Sequence, residues 1–147
     1  MHIPMKKLRE SARLPRRGSD FAAGYDLYAA PADHEAVTIA PHTTALIGTG
    51  LAAAIPAGYF GGIFARSGLA LKQGLRPANC VGVVDADYRG EFSVALHNDT
   101  DEPRIVAPGD RIAQLVILPF LAADFDETES LPETDRGAGG FGSTGMQ

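Results

Sequence analysis

Two aspartates and a tyrosine follow directly on an apolar run at residues 81–90, VGVVDADYRG. A carboxylate costs free energy beside apolar neighbours unless water or a partner compensates it, so the place of Asp85 straight after VGVV calls for a reason. One reading makes Asp85 and Asp87 turn formers in a β-hairpin. The other holds Asp85 at a rigid strand end against a water molecule as a general base, with Tyr88 offering a flat face to a ligand. Spacing alone does not choose between them.

Four further segments carry groups that could handle an anion or a metal. RGAGGFGSTG, 136–145, has the composition of a glycine-rich tail, yet a solvated linker has no use for its arginine and phenylalanine. Glycines let backbone N–H groups crowd around phosphate oxygens, and Arg136, Ser143 and Thr144 add donors. It is not a P-loop, which needs GxxxxGK[ST] between a strand and a helix. ARSGLA, 65–70, sets a guanidinium beside a hydroxyl at the mouth of a short helical turn, as an anion site or as plain N-capping by Ser67. AGYDL, 23–27, places Asp26 in an otherwise apolar strand, as a strand-end residue or a metal contact. In PGDRIAQLVIL, 108–118, Gln114 is polar where burial is expected, so it needs a hydrogen-bond partner.

The elements that must hold these groups are short. Seventeen glycines and ten prolines leave little room for long helices and favour short strands joined by turns. Strands are predicted over 25–29, 35–40, 44–55, 59–65, 91–98 and 112–120, with turns at 56–58, 85–90 and 107–110. Their spacing suggests an all-β sandwich or barrel. SGLALKQGL, 67–75, is the one helical turn, with Ser67 as N-cap and Gly74 as its stop. IAQLVILPF, 112–120, fails to alternate and is expected to be buried on both faces, either centrally in the domain or in a subunit interface. After Phe125 the composition turns acidic and then glycine-rich, so residues 1–125 form one β domain and 126–147 a flexible arm.

Composition bounds the function classes. The chain has 147 residues, 45% hydrophobic and 21% charged, enough for one domain with a sizeable core. A net charge of −5 argues against holding a long polyanion by neutralising many phosphates, while a small anionic ligand can still be met by local arginines. Cys80 is the single cysteine, which rules out an intrachain disulfide and fits a reducing compartment. His2, His34, His42 and His97 lack zinc-site spacing. MHIPMKKLRE has no signal-peptide core and no 18-residue apolar run occurs, so a cytoplasmic protein is expected.

Taken together and in order, AGYDL, ARSGLALK, GVVDADYRGE, PGDRIAQLVI and RGAGGFGSTG closely resemble the five motifs of the homotrimeric dUTPase family, the deoxyuridine 5′-triphosphate nucleotidohydrolases. The resemblance spans about residues 23–145. It implies a distorted jelly-roll-like β fold in a homotrimer, with three shared sites and the arm of one subunit closing over a site formed by the other two. The implied reaction is hydrolysis of dUTP to dUMP and pyrophosphate by water attack on the α-phosphorus, which limits uracil in DNA and supplies dUMP for thymidylate synthesis. Asp85 would orient and deprotonate the water and contact the 3′-hydroxyl, and Tyr88 would lie against the deoxyribose and exclude a ribose 2′-hydroxyl. A carboxylate is a weak base at neutral pH, so positioning and charge neutralisation must supply most of the rate.

The same resemblance assigns Arg66, Ser67, Gly68 and Gln114 to the phosphates, and Asn79 with Val84 to the nucleoside. From the arm, Arg136 would meet the γ-phosphate, Phe141 would cover the uracil, and Gly142, Ser143 and Thr144 would bind phosphate oxygens. Mg²⁺ would be held mainly by the triphosphate, with Asp26 reaching it through water. Uracil selection would use donor–acceptor matching against cytosine and steric refusal of the thymine methyl, on a β-hairpin backbone around 79–90. Two positions depart from the pattern: Ala65 replaces a proline, and Gly62 stands where a basic residue is common. A dCTP deaminase shares the fold but lacks the DADYRGE and GGFGSTG combination. A binding protein without turnover has no need of a water-activating Asp85.

Overall fold

A computed structural model describes residues 1–140. Within them lie twelve short strands and one helix: β1 (Met5–Lys7), β2 (Arg16–Arg17), β3 (Tyr25–Tyr28), β4 (Val37–Ile39), β5 (Thr44–Gly48), β6 (Leu51–Ala53), β7 (Tyr59–Phe64), α1 (Ser67–Gln73), β8 (Leu75–Pro77), β9 (Val81–Val84), β10 (Ser93–Asn98), β11 (Arg104–Val106) and β12 (Arg111–Pro119). All pairings are antiparallel. The largest sheet runs β2-β3-β12-β7-β9; β5-β10-β8 forms a second, and β1-β6 and β11-β4 are two-stranded ribbons. The sheets stay open, so the architecture is the jelly-roll-like all-β one expected, without a closed barrel among the described residues.

Period-two burial builds the core. Along β10 the inward side chains are Val94, Leu96 and Asn98, and they meet Leu27, Ile47, Leu51, Leu75 and Ile112 from the other strands. Asn98 is fully buried yet satisfied. Its amide donates to the carbonyls of Ile39, Ala40 and Glu102, and its Oδ1 accepts from the Thr100 N–H and hydroxyl, tying the 98–102 turn to β4.

Three local expectations need correction. The stretch 44–55 is not one strand: Gly50 takes a left-handed φ of 68°, and the Thr49 N–H and hydroxyl both bond to the Phe92 carbonyl, so the chain breaks between β5 and β6. Ser67 does not cap α1. The cap position is Arg66, extended at φ −93° and ψ 126°, with no side-chain cap bond, and Ser67 is the first helical residue. The predicted stop does form, with Gly74 left-handed at φ 63° and its N–H on the Ala70 carbonyl. Finally, the DADYRG turn is not a hairpin, because β9 pairs with β7 whereas β10 pairs with β5 and β8. The turn is a corner that carries the chain from one sheet to another.

β12 is central in the five-stranded sheet, between β3 and β7. Ile112, Ala113 and Leu115 are buried, whereas Gln114, Val116 and Leu118 are only half covered within one chain, so burial on both faces does not hold for the isolated protomer. Among the described residues no strand forms beyond β12: residues 121–138 are exposed coil and turn, and the hydrogen bonds found within 128–139 stay inside that segment. Among the described residues no helix is long and apolar enough to cross a membrane.

Candidate active site

Asp85 leaves the end of β9 into a cleft of about 360 Å³, shared with Asn79, Val84 and Tyr88. Its carboxylate is exposed and has no hydrogen-bond partner among the described residues. The backbone beneath it is held firmly. The Tyr88 N–H bonds to the Asp85 carbonyl at 3.2 Å, and the Arg89 guanidinium donates to the carbonyls of Ala86 (2.6 Å) and Tyr88 (3.0 Å). A rigid corner thus aims a free carboxylate at solvent, the arrangement a general base requires. On the other side of the cleft, the Asn79 carbonyl accepts from the Val81 N–H at 2.7 Å, which fixes its backbone where the chain enters β9.

A second cluster forms where β3, β12 and β7 lie side by side. Gln114 of β12 is in register with Asp26 of β3 and Phe64 of β7. Its amide donates to the Ala65 carbonyl at 2.8 Å, the partner that an amide among apolar neighbours calls for. The rest of the Gln114 side chain lies over Gly24, where an added Cβ would sit 3.0 Å from Cδ, so the glycine of AGYDL is there for space. Asp26 accepts from Arg66 Nε at 2.8 Å and from an Arg111 terminal nitrogen at 3.3 Å, two guanidiniums on one carboxylate. Asp26 and Arg66 are 15% and 24% exposed, so this pair is largely desolvated and oriented. Ser67 and Gly68 follow directly, both exposed at the start of α1. The terminal nitrogens of Arg66 carry no protein partner among the described residues and can meet an anion.

Sequence reading misses Arg111 as a member of this cluster. The signal was present in PGDRIAQ, since Arg111 opens the strand that carries Gln114. Gly62 sits beneath the Phe64 ring, where a Cβ would meet Cζ at 3.1 Å; this ring occupies the space of any larger side chain.

One protomer does not join the two clusters. In the β7–β9 ladder Gly61 pairs with Val84 and Phe64 with Val81. Asp85 follows one end and Arg66 lies two residues past the other. Arg136 is exposed on the segment beyond β12, and its guanidinium donates to the Gly139 carbonyl at 2.8 Å. Phe141, Gly142, Ser143 and Thr144 lie outside the described residues.

For a metal, Asp26, paired with the Arg66 guanidinium, is the carboxylate of the second cluster, and no group of three histidine, cysteine or acidic side chains among the described residues could hold an ion. The donor set fits an outer contact to a cation that arrives on a phosphate ligand, not a protein cage.

The dUTPase family model matches residues 10–145. The deoxyuridine 5′-triphosphate nucleotidohydrolase of Syntrophotalea carbinolica is 50% identical over 144 residues, covering 98% of this chain and 97% of its own. That of a Hydrogenobaculum species is 45% identical over 147 residues, with full coverage of both. Among solved structures, a mutant Staphylococcus bacteriophage 80alpha dUTPase with dUpNHpp is 31% identical, with a TM-score of 0.86 and 99% of each chain covered. A mutant dUTPase from phage phi11 of S. aureus, described with a structural Mg(II) ion, is 29% identical, with a TM-score of 0.77 over 88% of this chain and 98% of its own.

Proposed function

The chain belongs to the dUTPase family, and from that premise we propose how its own residues hydrolyse dUTP to dUMP and pyrophosphate. The observation that carries the reading is the unpartnered carboxylate of Asp85, held on a stapled corner beside Tyr88 and Asn79. Asp85 orients a water and takes its proton as the water oxygen bonds to the α-phosphorus. The bond from that phosphorus to the bridging oxygen breaks, and pyrophosphate leaves with the electron pair. Tyr88 lies against the deoxyribose and leaves no room for a 2′-hydroxyl, while Asn79 and the backbone near Val84 read the uracil.

Arg66, Ser67, Gly68 and Gln114 hold the phosphates, with Arg66 oriented by Asp26. Mg²⁺ bound to the triphosphate would neutralise its charge, and Asp26 would reach it through water. The dUpNHpp in the phage neighbours supports a nucleoside triphosphate as ligand.

Because the Asp85 and Arg66 groups sit at opposite ends of a ladder, a complete site needs more than one copy of the chain, and the reading is a homotrimer with three shared sites. Val83, 63% exposed, and half-covered Val116 and Leu118 give the large sheet an apolar outer face for a neighbouring copy to cover. Residues 126–147 act as the arm that closes a site of another subunit, bringing Arg136 to the γ-phosphate and Phe141 over the base, with Gly142, Ser143 and Thr144 at phosphate oxygens. We read the enzyme as one of nucleotide metabolism acting in the cytoplasm.

Incubation with dUTP, dCTP, dTTP and UTP, followed by pyrophosphate and base analysis, tests the reading. Pyrophosphate and dUMP from dUTP alone is expected. Release of ammonia from dCTP, or binding without turnover, would overturn it.

A further inference from the structure

The Tyr88 ring is held from two directions by groups outside the reaction. Its hydroxyl donates to the Glu91 carbonyl at 3.1 Å. Its ring folds back across Gly90, where an added Cβ would stand 2.5 Å from Cζ, closer than real Cβ atoms come, and 3.0 Å from Cε2, so the ring would have to shift. Gly90 is not among the glycines with positive φ, so space and not backbone conformation demands it.

Glu91 is itself fixed. Its carboxylate forms a two-pronged pair with Arg9, both contacts at 2.7 Å, and accepts a third bond at 2.7 Å from the Gly50 N–H. Arg9 also donates to the Ala30 carbonyl, so the pair is tied to the body of the domain. Gly48 is bare for the same reason as Gly90, since a Cβ there would run into the Glu91 carboxylate. With side-chain exposures of 19% and 24%, the Arg9–Glu91 fork is mostly out of water, where charge-assisted bonds hold geometry well.

Resting on the reading of Tyr88 as the wall against the pentose, we infer that Gly90 and the Arg9–Glu91 pair are positioning residues for sugar discrimination. Refusing one added hydroxyl by contact depends on rigidity, because a wall that yields by a fraction of an ångström admits the larger sugar. Gly90 sets how far the ring drops back and the Glu91 carbonyl sets where its hydroxyl ends. The residue that faces the ligand is Tyr88, but the sequence encodes its position at 9, 90 and 91.

The test measures kcat/KM for dUTP and UTP in Gly90→Ala, Glu91→Gln and Tyr88→Ala. In Gly90→Ala the soft response is a swing of the tyrosine about its side-chain torsion, so the fold survives while the ring moves. The dUTP-to-UTP ratio should fall by roughly tenfold or more, chiefly through better use of UTP and a raised KM for dUTP. Glu91→Gln keeps the volume, weakens the fork with Arg9, and should lower the ratio in the same direction by less. If Tyr88→Ala leaves the ratio at the wild-type value, the pentose-wall reading itself is wrong. If Tyr88→Ala relaxes selectivity while Gly90→Ala and Glu91→Gln, both folded by their melting profiles, do not, the wall stands and the positioning role is refuted. Should Gly90→Ala fail to fold, Glu91→Gln and Tyr88→Phe, which removes only the hydroxyl tether, decide the question in the same assay.

Discussion

Asp85 and Arg66 stand beyond opposite ends of one antiparallel ladder, the four pairs from Gly61–Val84 to Phe64–Val81. At ~3.3 Å per residue that ladder alone spans about 10 Å, and each residue lies further out still. In the proposed shared site, the base and the phosphate anchor meet on one nucleotide by coming from different copies of the chain.

Complementation follows directly. Asp85→Asn and Arg66→Ala should each be inactive alone, yet co-refolded in equal amounts they should recover about a quarter of wild-type activity, the share of inter-subunit sites that draw each intact residue from a different variant. A mixture as inactive as its components would place the whole site within one protomer.

Asp85→Asn removes the proton acceptor and little else, because the carboxylate makes no bond that supports the corner. Turnover of dUTP should fall by roughly 10²–10⁴-fold with nucleotide affinity retained, as checked by single-turnover assay and calorimetry. Near wild-type hydrolysis would remove Asp85 from its role.

Deleting residues 136–147 should cripple catalysis while leaving the melting midpoint within about 2 °C of wild type. Among the described residues, 136–140 bond only to one another and to Thr134 and are exposed up to residue 138, so this part adds little packing to the body. A large drop in midpoint would mean that the segment supports the fold.

The surface pair at the far end of β10 gives a signed pH dependence. Hydrogen bonds from Arg76, at 2.7 and 3.0 Å, are the main cause that holds the Asp99 carboxyl below its ordinary value. A depressed carboxylate contributes stability above the unfolded value of about 4 and loses it as pH falls through the folded one. Denaturant midpoints of wild type and Asp99→Asn should therefore differ at neutral pH, with wild type higher, and converge in acid below the ordinary carboxylate range. A gap that persists unchanged into strong acid would assign the difference to something other than this ion pair.

The legible parts were those written in local chemistry. Gly74 stops α1 because a left-handed residue with no Cβ can close the last turn, and that reads directly from its place after an apolar helical run. Gln114 announced a partner because an amide among apolar neighbours must bond to something. Strands such as β1 and β2, three and two residues long with mostly exposed side chains, carried no periodic signal at all. DADYRG reads as a turn, and of its two readings the hairpin fails, because turn residues report a change of direction and not which strand each arm will pair with.

The sequence by itself determined the inventory: five motifs, an all-β chain of short strands, and a carboxylate placed where apolar neighbours demand a purpose. Only the tertiary structure decided that Arg111 joins Arg66 on Asp26, that Glu91 and Gly90 hold Tyr88, and that Asp85 and Arg66 lie beyond opposite ends of the β7–β9 ladder. The physical reason is range. Torsion preferences and desolvation act on neighbours along the chain, whereas ion pairs across 82 positions and sterically bare glycines exist only once distant strands have met.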